Sequence, residues 1–193
     1  NTVEGPVVTQ YAITPAPIAR TQYHAFTCAE GTLTINAKTL TDAMVTLDPT
    51  TFTYDGENHK PAVTVADADA TITEADYDVV NEGGTDAGSY EVKVTAQGNY
   101  AGEVTKSFTI GKADPTVKTA ASATAITLGQ TLESSTISGE MTGVKDETLE
   151  GAWAWADNTI APTREDSDTA EYGYTFTPGD TNYSTFSGML TVT

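Results

Sequence analysis

Along most of its length the chain alternates apolar and polar positions with a period of two, the spacing that sends successive side chains to opposite faces of a β-strand. In Tyr90-Glu-Val-Lys-Val-Thr-Ala96, Tyr90, Val92, Val94 and Ala96 share one face, and Glu91, Lys93 and Thr95 share the other. Tyr172, Tyr174 and Phe176 repeat the pattern, as do Phe186, Gly188, Leu190 and Val192. Val104, Phe108 and Ile110 form a fourth such face, with Lys106 interrupting it. Helical periodicity is nearly absent, and Pro and Gly punctuate the chain throughout. The pattern predicts strands near 43–47, 51–54, 60–66, 70–73, 76–80, 88–96 and 102–110. A second set is predicted near 116–120, 124–128, 132–138, 151–156, 170–177 and 185–193. Tyr54-Asp-Gly-Glu-Asn58 and Glu82-Gly-Gly-Thr-Asp86 read as turns.

The pattern also repeats. Asp86-Ala-Gly-Ser-Tyr90 is followed by Asn99-Tyr100, and Asp168-Thr-Ala-Glu-Tyr172 by Asn182-Tyr183. The tyrosines recur after 82 and 83 residues, the length of one small β domain. The expected organisation is a module over 37–112 and another over 113–193. Lys112-Ala-Asp-Pro115 joins them, stiffened by Pro115. Residues 1–36 are too few for a further domain. Within them Gln10-Tyr-Ala-Ile-Thr-Pro-Ala-Pro17 and Glu30-Gly-Thr-Leu-Thr-Ile-Asn36 read as strands. These strands either add to an edge of the first module or are remnants of a preceding one. The opening, Asn1-Thr-Val-Glu-Gly-Pro, reads as a cut out of something longer.

Asp-x-Gly-x-Tyr and Asp-x-Ala-x-Tyr resemble the tyrosine corner of immunoglobulin-like sandwiches, where a tyrosine hydroxyl bonds backbone across the turn. Tyr90 and Tyr172 fit the corner role, with Asp86 and Asp168 as turn acids. Val92 and Tyr174 stand where such domains often carry a cysteine, and one of Trp153 and Trp155, with Trp155 preferred, would be the core tryptophan. A closer resemblance is carried by Phe52-Thr-Tyr-Asp-Gly56, Pro61 and Val63, Asp76-Tyr-Asp-Val79, Gly84-Thr-Asp-Ala-Gly-Ser-Tyr90, Gly98-Asn-Tyr-Ala-Gly102 and Lys106-Ser-Phe-Thr-Ile110. These stretches resemble the bacterial immunoglobulin-like repeat with a Tyr-Asp-Gly signature, the MBG type. Residues 113–193 resemble a companion repeat through Ala125-Ile-Thr-Leu-Gly-Gln-Thr-Leu132, Trp155, Pro162-Thr163, Tyr174-Thr-Phe-Thr-Pro178 and Asp180-Thr-Asn-Tyr183. The resemblance implies tandem immunoglobulin-like β-sandwiches in an elongated arrangement. It implies a secreted or wall-anchored surface protein, above all of Gram-positive bacteria, and no catalytic residues. The expected role is a spacer that supports an adhesive or enzymatic head, with other modules of the same protein as partners.

Charge narrows the choice of partner. The chain of 193 residues carries a formal −18, from 27 acids against 9 bases. Residues 37–112 hold five bases against thirteen acids, net −8, and residues 113–193 hold three against twelve, net −9. Such a surface repels phosphate backbones and anionic lipid, so neither nucleic acid nor membrane insertion is expected. It keeps a chain soluble through self-repulsion. Hydrophobic residues make up 38%, enough for small cores. A single cysteine, Cys28, rules out an intrachain disulfide.

Candidate chemistry is thin. No Gly-x-Ser-x-Gly or His-Glu-x-x-His motif occurs. His24 and Cys28 lack further ligands at zinc spacing, and His59 lies in a polar turn. Acid pairs suited to glycoside hydrolysis arise by chance in so acidic a chain. No cofactor is expected. Asp67, Asp69, Glu74, Asp76 and Asp78 are calcium candidates, with Asp114 a second one at the joint. Lys106 is the lysine to watch for a covalent cross-link to an asparagine or aspartate. Trp153, Trp155, Tyr172, Tyr174 and Tyr183 could form an aromatic platform for a glycan or a host surface protein. The alternation instead puts both tryptophans on one face, the side expected to be core.

Overall fold

The structure, a computed structural model, describes residues 9–14, 30–166 and 169–193. It is all-β. Strands and single 3-10 turns account for the regular structure, with no α-helix among the described residues. Two compact units are each assembled from separated stretches of chain. The first comprises Asn1–Asp48, Ala62–Glu82 and Glu91–Ser107, and the second Pro49–Pro61, Gly83–Tyr90 and Phe108–Thr193.

In the first unit, β1 (Thr9–Ile13) and β2 (Gly31–Ile35) form an antiparallel ribbon in which Tyr11 lies opposite Leu33. Among the described residues these strands pair with each other and join no other sheet. β3 (Lys38–Thr39) runs parallel to β9 (Tyr100–Ala101), and β4 (Val45–Asp48) runs antiparallel to β6 (Ala62–Val65). β7 (Tyr77–Val80) pairs with Lys93–Ala96 of β8 (Gly88–Ala96). The period-two pattern is realised here. Val92 and Val94 are fully buried, and Glu91 and Lys93 between them are exposed. Val94 joins Leu40, Val45, Val65 and Val104 in one cluster, with Ile72 and Tyr77 packed on it. Each fully buried side chain of this size contributes about 1.5–3 kcal/mol relative to exposure.

The second unit begins with β5 (Thr51–Thr53), parallel to Thr109–Gly111 at the end of β10 (Glu103–Gly111). β11 (Thr116–Ala123), β12 (Ile137–Thr142) and β13 (Thr148–Leu149) form an antiparallel sheet, with two register shifts between β11 and β12. β14 (Gly151–Trp155), β15 (Glu171–Pro178) and β16 (Phe186–Thr191) form another. Ala113, Met141, Leu149, Phe176 and Tyr183 make its core, and Tyr54, Trp153 and Phe186 pack against them.

Two expected strands are absent. Residues 70–73 and 124–128 form loops, and neither has a ladder partner. The first, Ala70-Thr-Ile-Thr73, follows an Asp/Ala stretch and packs Ile72 on the core cluster, and the second runs into Gly129 at φ +93°. The strand expected at 132–138 is split. Leu132–Ser134 is a 3-10 turn whose Leu132 is completely buried, and β12 starts after it.

Candidate functional site

The paired corners lead to the site. Tyr90 opens the buried face of β8, and its hydroxyl donates to the backbone carbonyl of Asp86 at 2.8 Å. Its ring stacks on Phe108 with centroids 5.4 Å apart. Gly84 supplies the space, because a Cβ there would collide with the Tyr90 ring. The Asp86 carboxylate is used elsewhere. It accepts from Asn182 Nδ2 at 3.0 Å, and Asn182 Oδ1 accepts the Ala87 N–H at 2.7 Å. One side-chain amide thus satisfies a side chain and the adjacent backbone, both ends used in complementary sense. Tyr172 lies half-buried on β15 opposite Leu190, and burial pushes its phenol up. Its expected turn acid, Asp168, is outside the described residues.

The Tyr-Asp-Gly turn joins the same cluster within the second unit. Asp55 accepts the Glu57 N–H at 2.9 Å and meets His59 Nε2 at 2.9 Å. The Glu57 N–H first, and the His59 ring after it, hold the Asp55 carboxyl below its usual range. His59 also stacks on Phe52 and bridges Gly84. Gly56 sits at φ +76°, a conformation suited to glycine, and its carbonyl accepts from Lys145 Nζ at 2.9 Å. The same ammonium pairs with Glu57 at 2.8 Å. The Tyr54 ring stands edge-on to Tyr183 at 5.5 Å. Burial, then the charges of Asp180, Asp86 and Glu147, push the Tyr54 phenol up.

Tyr183 is the hub. It is 2% exposed, accepts the Val144 N–H at 2.9 Å, and donates a short bond to Glu147. Burial, with this bond to Glu147, raises its phenol to about 12. The reciprocal effect holds the Glu147 carboxyl low. Gly143 is small because Glu147 and the Tyr183 hydroxyl occupy the place of a Cβ. The expected joint at Lys112–Pro115 is held to this hub. Ala113 is buried, donates to the Asn182 carbonyl at 2.9 Å, and accepts from Ser184 N at 2.8 Å. Asp114 accepts the Ser184 hydroxyl. These donors and acceptors are spent on one another, which is the chemistry of a fastening. Periodicity marked Tyr90 and Asp86, but it gave no role to Asn182 or Lys145. The sequence signals for those two were the Asn-Tyr repeat and the scarcity of bases.

The other candidates are dispersed. Trp153 packs on Phe176 at 4.7 Å and on Tyr174 at 5.7 Å, and Tyr174 is 7% exposed. Trp155, half-buried, donates Nε1–H to the Ser135 carbonyl at 3.0 Å. The tryptophan packed on the core cluster is therefore Trp153, not Trp155, because Trp155 is held instead by its polar edge. Asp67 is taken by Lys38 at 2.7 Å and Tyr100 at 2.8 Å. Asp76 accepts both the amide and the hydroxyl of Thr73, and Asp78 accepts from Gln97. Glu74 stands exposed in its 3-10 turn. Among the described residues no group of three or more His, Cys, Asp or Glu is arranged to hold a metal. Lys106 shares the buried face as read from the sequence and pairs with the exposed carboxylate of Asp42 at 2.6 Å. His24 and Cys28 are outside the described residues. Among the described residues no helix is long and apolar enough to cross a membrane.

Comparison with curated proteins and with solved structures gives no match. Comparison with family models does. The MBG domain matches residues 43–114, a stretch that contains the Tyr-Asp-Gly turn and the Asp86–Tyr90 corner, and it supports an MBG-type repeat there.

Proposed function

We propose that the chain is a non-catalytic spacer region of a secreted or wall-anchored bacterial surface protein, of Gram-positive type. In this reading two immunoglobulin-like sandwiches follow one another and support an adhesive or enzymatic head carried elsewhere in the same protein. The observation that carries it is the MBG match over 43–114, a kind of module expected in series. Two further observations support it. The functional groups around Tyr183 are fastened to each other, and the net charge of −18 suits a hydrated surface.

The test is protease shaving of intact cells of the organism that encodes the chain, followed by peptide mass spectrometry. Peptides from 49–61 and 169–193 released without lysis are the expected result. Their release only after lysis would overturn the surface assignment. A glycan array on the purified chain distinguishes the alternative, a carbohydrate- or host-ligand-binding module. The spacer reading expects no glycan signal.

A further inference from the structure

The Asn-Tyr turns of the chain do the same backbone task twice. Lys38 N donates to the Asn99 carbonyl at 2.9 Å, and Ala113 N donates to the Asn182 carbonyl at 2.9 Å. In both places a parallel bridge follows, Lys38 to Tyr100 and Ala113 to Tyr183. In both the tyrosine hydroxyl donates to an acid, Asp67 in one and Glu147 in the other. The turn is thus a self-contained clip for the segment that leads into its own β module. At Asn182 it has a second use. The side-chain amide, which the clip leaves free, reaches Asp86 and Ala87, 96 and 95 residues away in sequence.

We infer that the Tyr54–Glu57 turn and the Asp86–Ala87 corner of the MBG-type repeat form a socket for the following β module. The partner is recognised by an Asn-Tyr turn and a lysine-bearing loop. Three contacts of different chemistry make the recognition specific. The Asn182 amide reads one acceptor and one donor, which a carboxylate, having no donor, cannot match. Lys145 reads the Gly56 carbonyl, which it can approach because Gly56 has no Cβ to collide with its side chain, and it also reads the Glu57 carboxylate. The Tyr183 ring meets the Tyr54 ring edge-on. The Tyr-Asp-Gly signature is then a coupling that selects its successor, and its glycine serves this docking as well as the turn. This inference deepens the spacer reading and rests on it only for the word module.

The experiment is hydrogen exchange by mass spectrometry on the full chain, with tryptophan fluorescence as the control for folding of β14. Asn182→Asp places two carboxylates together at Asp86. Exchange at 84–90 should rise about fivefold or more, the worth of about one hydrogen bond. Protection at 151–155 should be unchanged. Adding Asp86→Asn restores a donor opposite the new carboxylate, so the double variant should return to wild-type exchange. Lys145→Met is an independent variant, and it should raise exchange at 54–58. Unchanged exchange at 84–90 in Asn182→Asp, or a double variant as fast as the single one, would overturn the socket. Neither result would touch the shaving experiment, which asks where the protein works.

Discussion

The value of a single hydroxyl can be read at Tyr90. Its ring is held by Phe108, so Tyr90→Phe keeps the packing and removes only the bond to the Asp86 carbonyl. The expected loss is about 0.5–1.5 kcal/mol, seen as a lower denaturant midpoint at unchanged slope. Tyr183 links folding to pH. Its folded value of about 12 lies above that of an unfolded tyrosine, about 10. The neutral phenol is therefore favoured by folding. Its stabilisation is whole below pH 10 and is lost as pH rises from about 10 to 12. Glu147 works in the other direction. Its folded value is lowered, first by the Tyr183 hydroxyl, so its contribution is present above the unfolded value and fades as pH falls through the folded one. Tyr183→Phe should flatten both limbs of a stability–pH curve and cost about 1–3 kcal/mol at neutral pH, since it removes the bond to the Glu147 carboxylate and the acceptor of the Val144 N–H.

At the scale of elements, Gly84 shows why a motif is longer than its obvious residues. It is buried beside His59 and against the Tyr90 ring. Gly84→Ala should displace that ring and cost about 1–3 kcal/mol, as overpacking does. The near-ultraviolet circular dichroism of the aromatic residues should change with it. Strand faces were legible from the sequence because burial enforces the alternation on β8, β10, β15 and β16. Tyr90, Val92, Val94 and Ala96 lie on one side of β8 as read. Loops near 70 and 124 were not legible, because a strand needs a partner and partners are not written locally. The same limit hid the fastening. Asn182 and Asp86 are 96 residues apart, and nothing in either neighbourhood specifies the other. The short strands β3 and β9 exist only through such distant pairing. Trp153 and Trp155 share one face, so alternation could not say which of them meets Phe176.

At the scale of the molecule, a formal −18 acts on everything at once. Cations are few, and Lys38, Lys93, Lys106, Lys118 and Lys145 are each already paired with an acid. The uncompensated acids repel one another. Raising the salt concentration from about 0.01 M to about 0.15 M shortens the screening length from ~30 Å to ~8 Å. The melting temperature should rise over that range, although the exposed pairs weaken, because repulsion outnumbers pairing. A fall in melting temperature over the same range would show that the ion pairs dominate. The parallel pairing of β5 with the end of β10 has a consequence of its own. Tension applied along β10 through Gly111 runs lengthwise down that pair. Its hydrogen bonds then share the load in shear and give way together, where a hairpin pulled apart from its open end would unzip bond by bond.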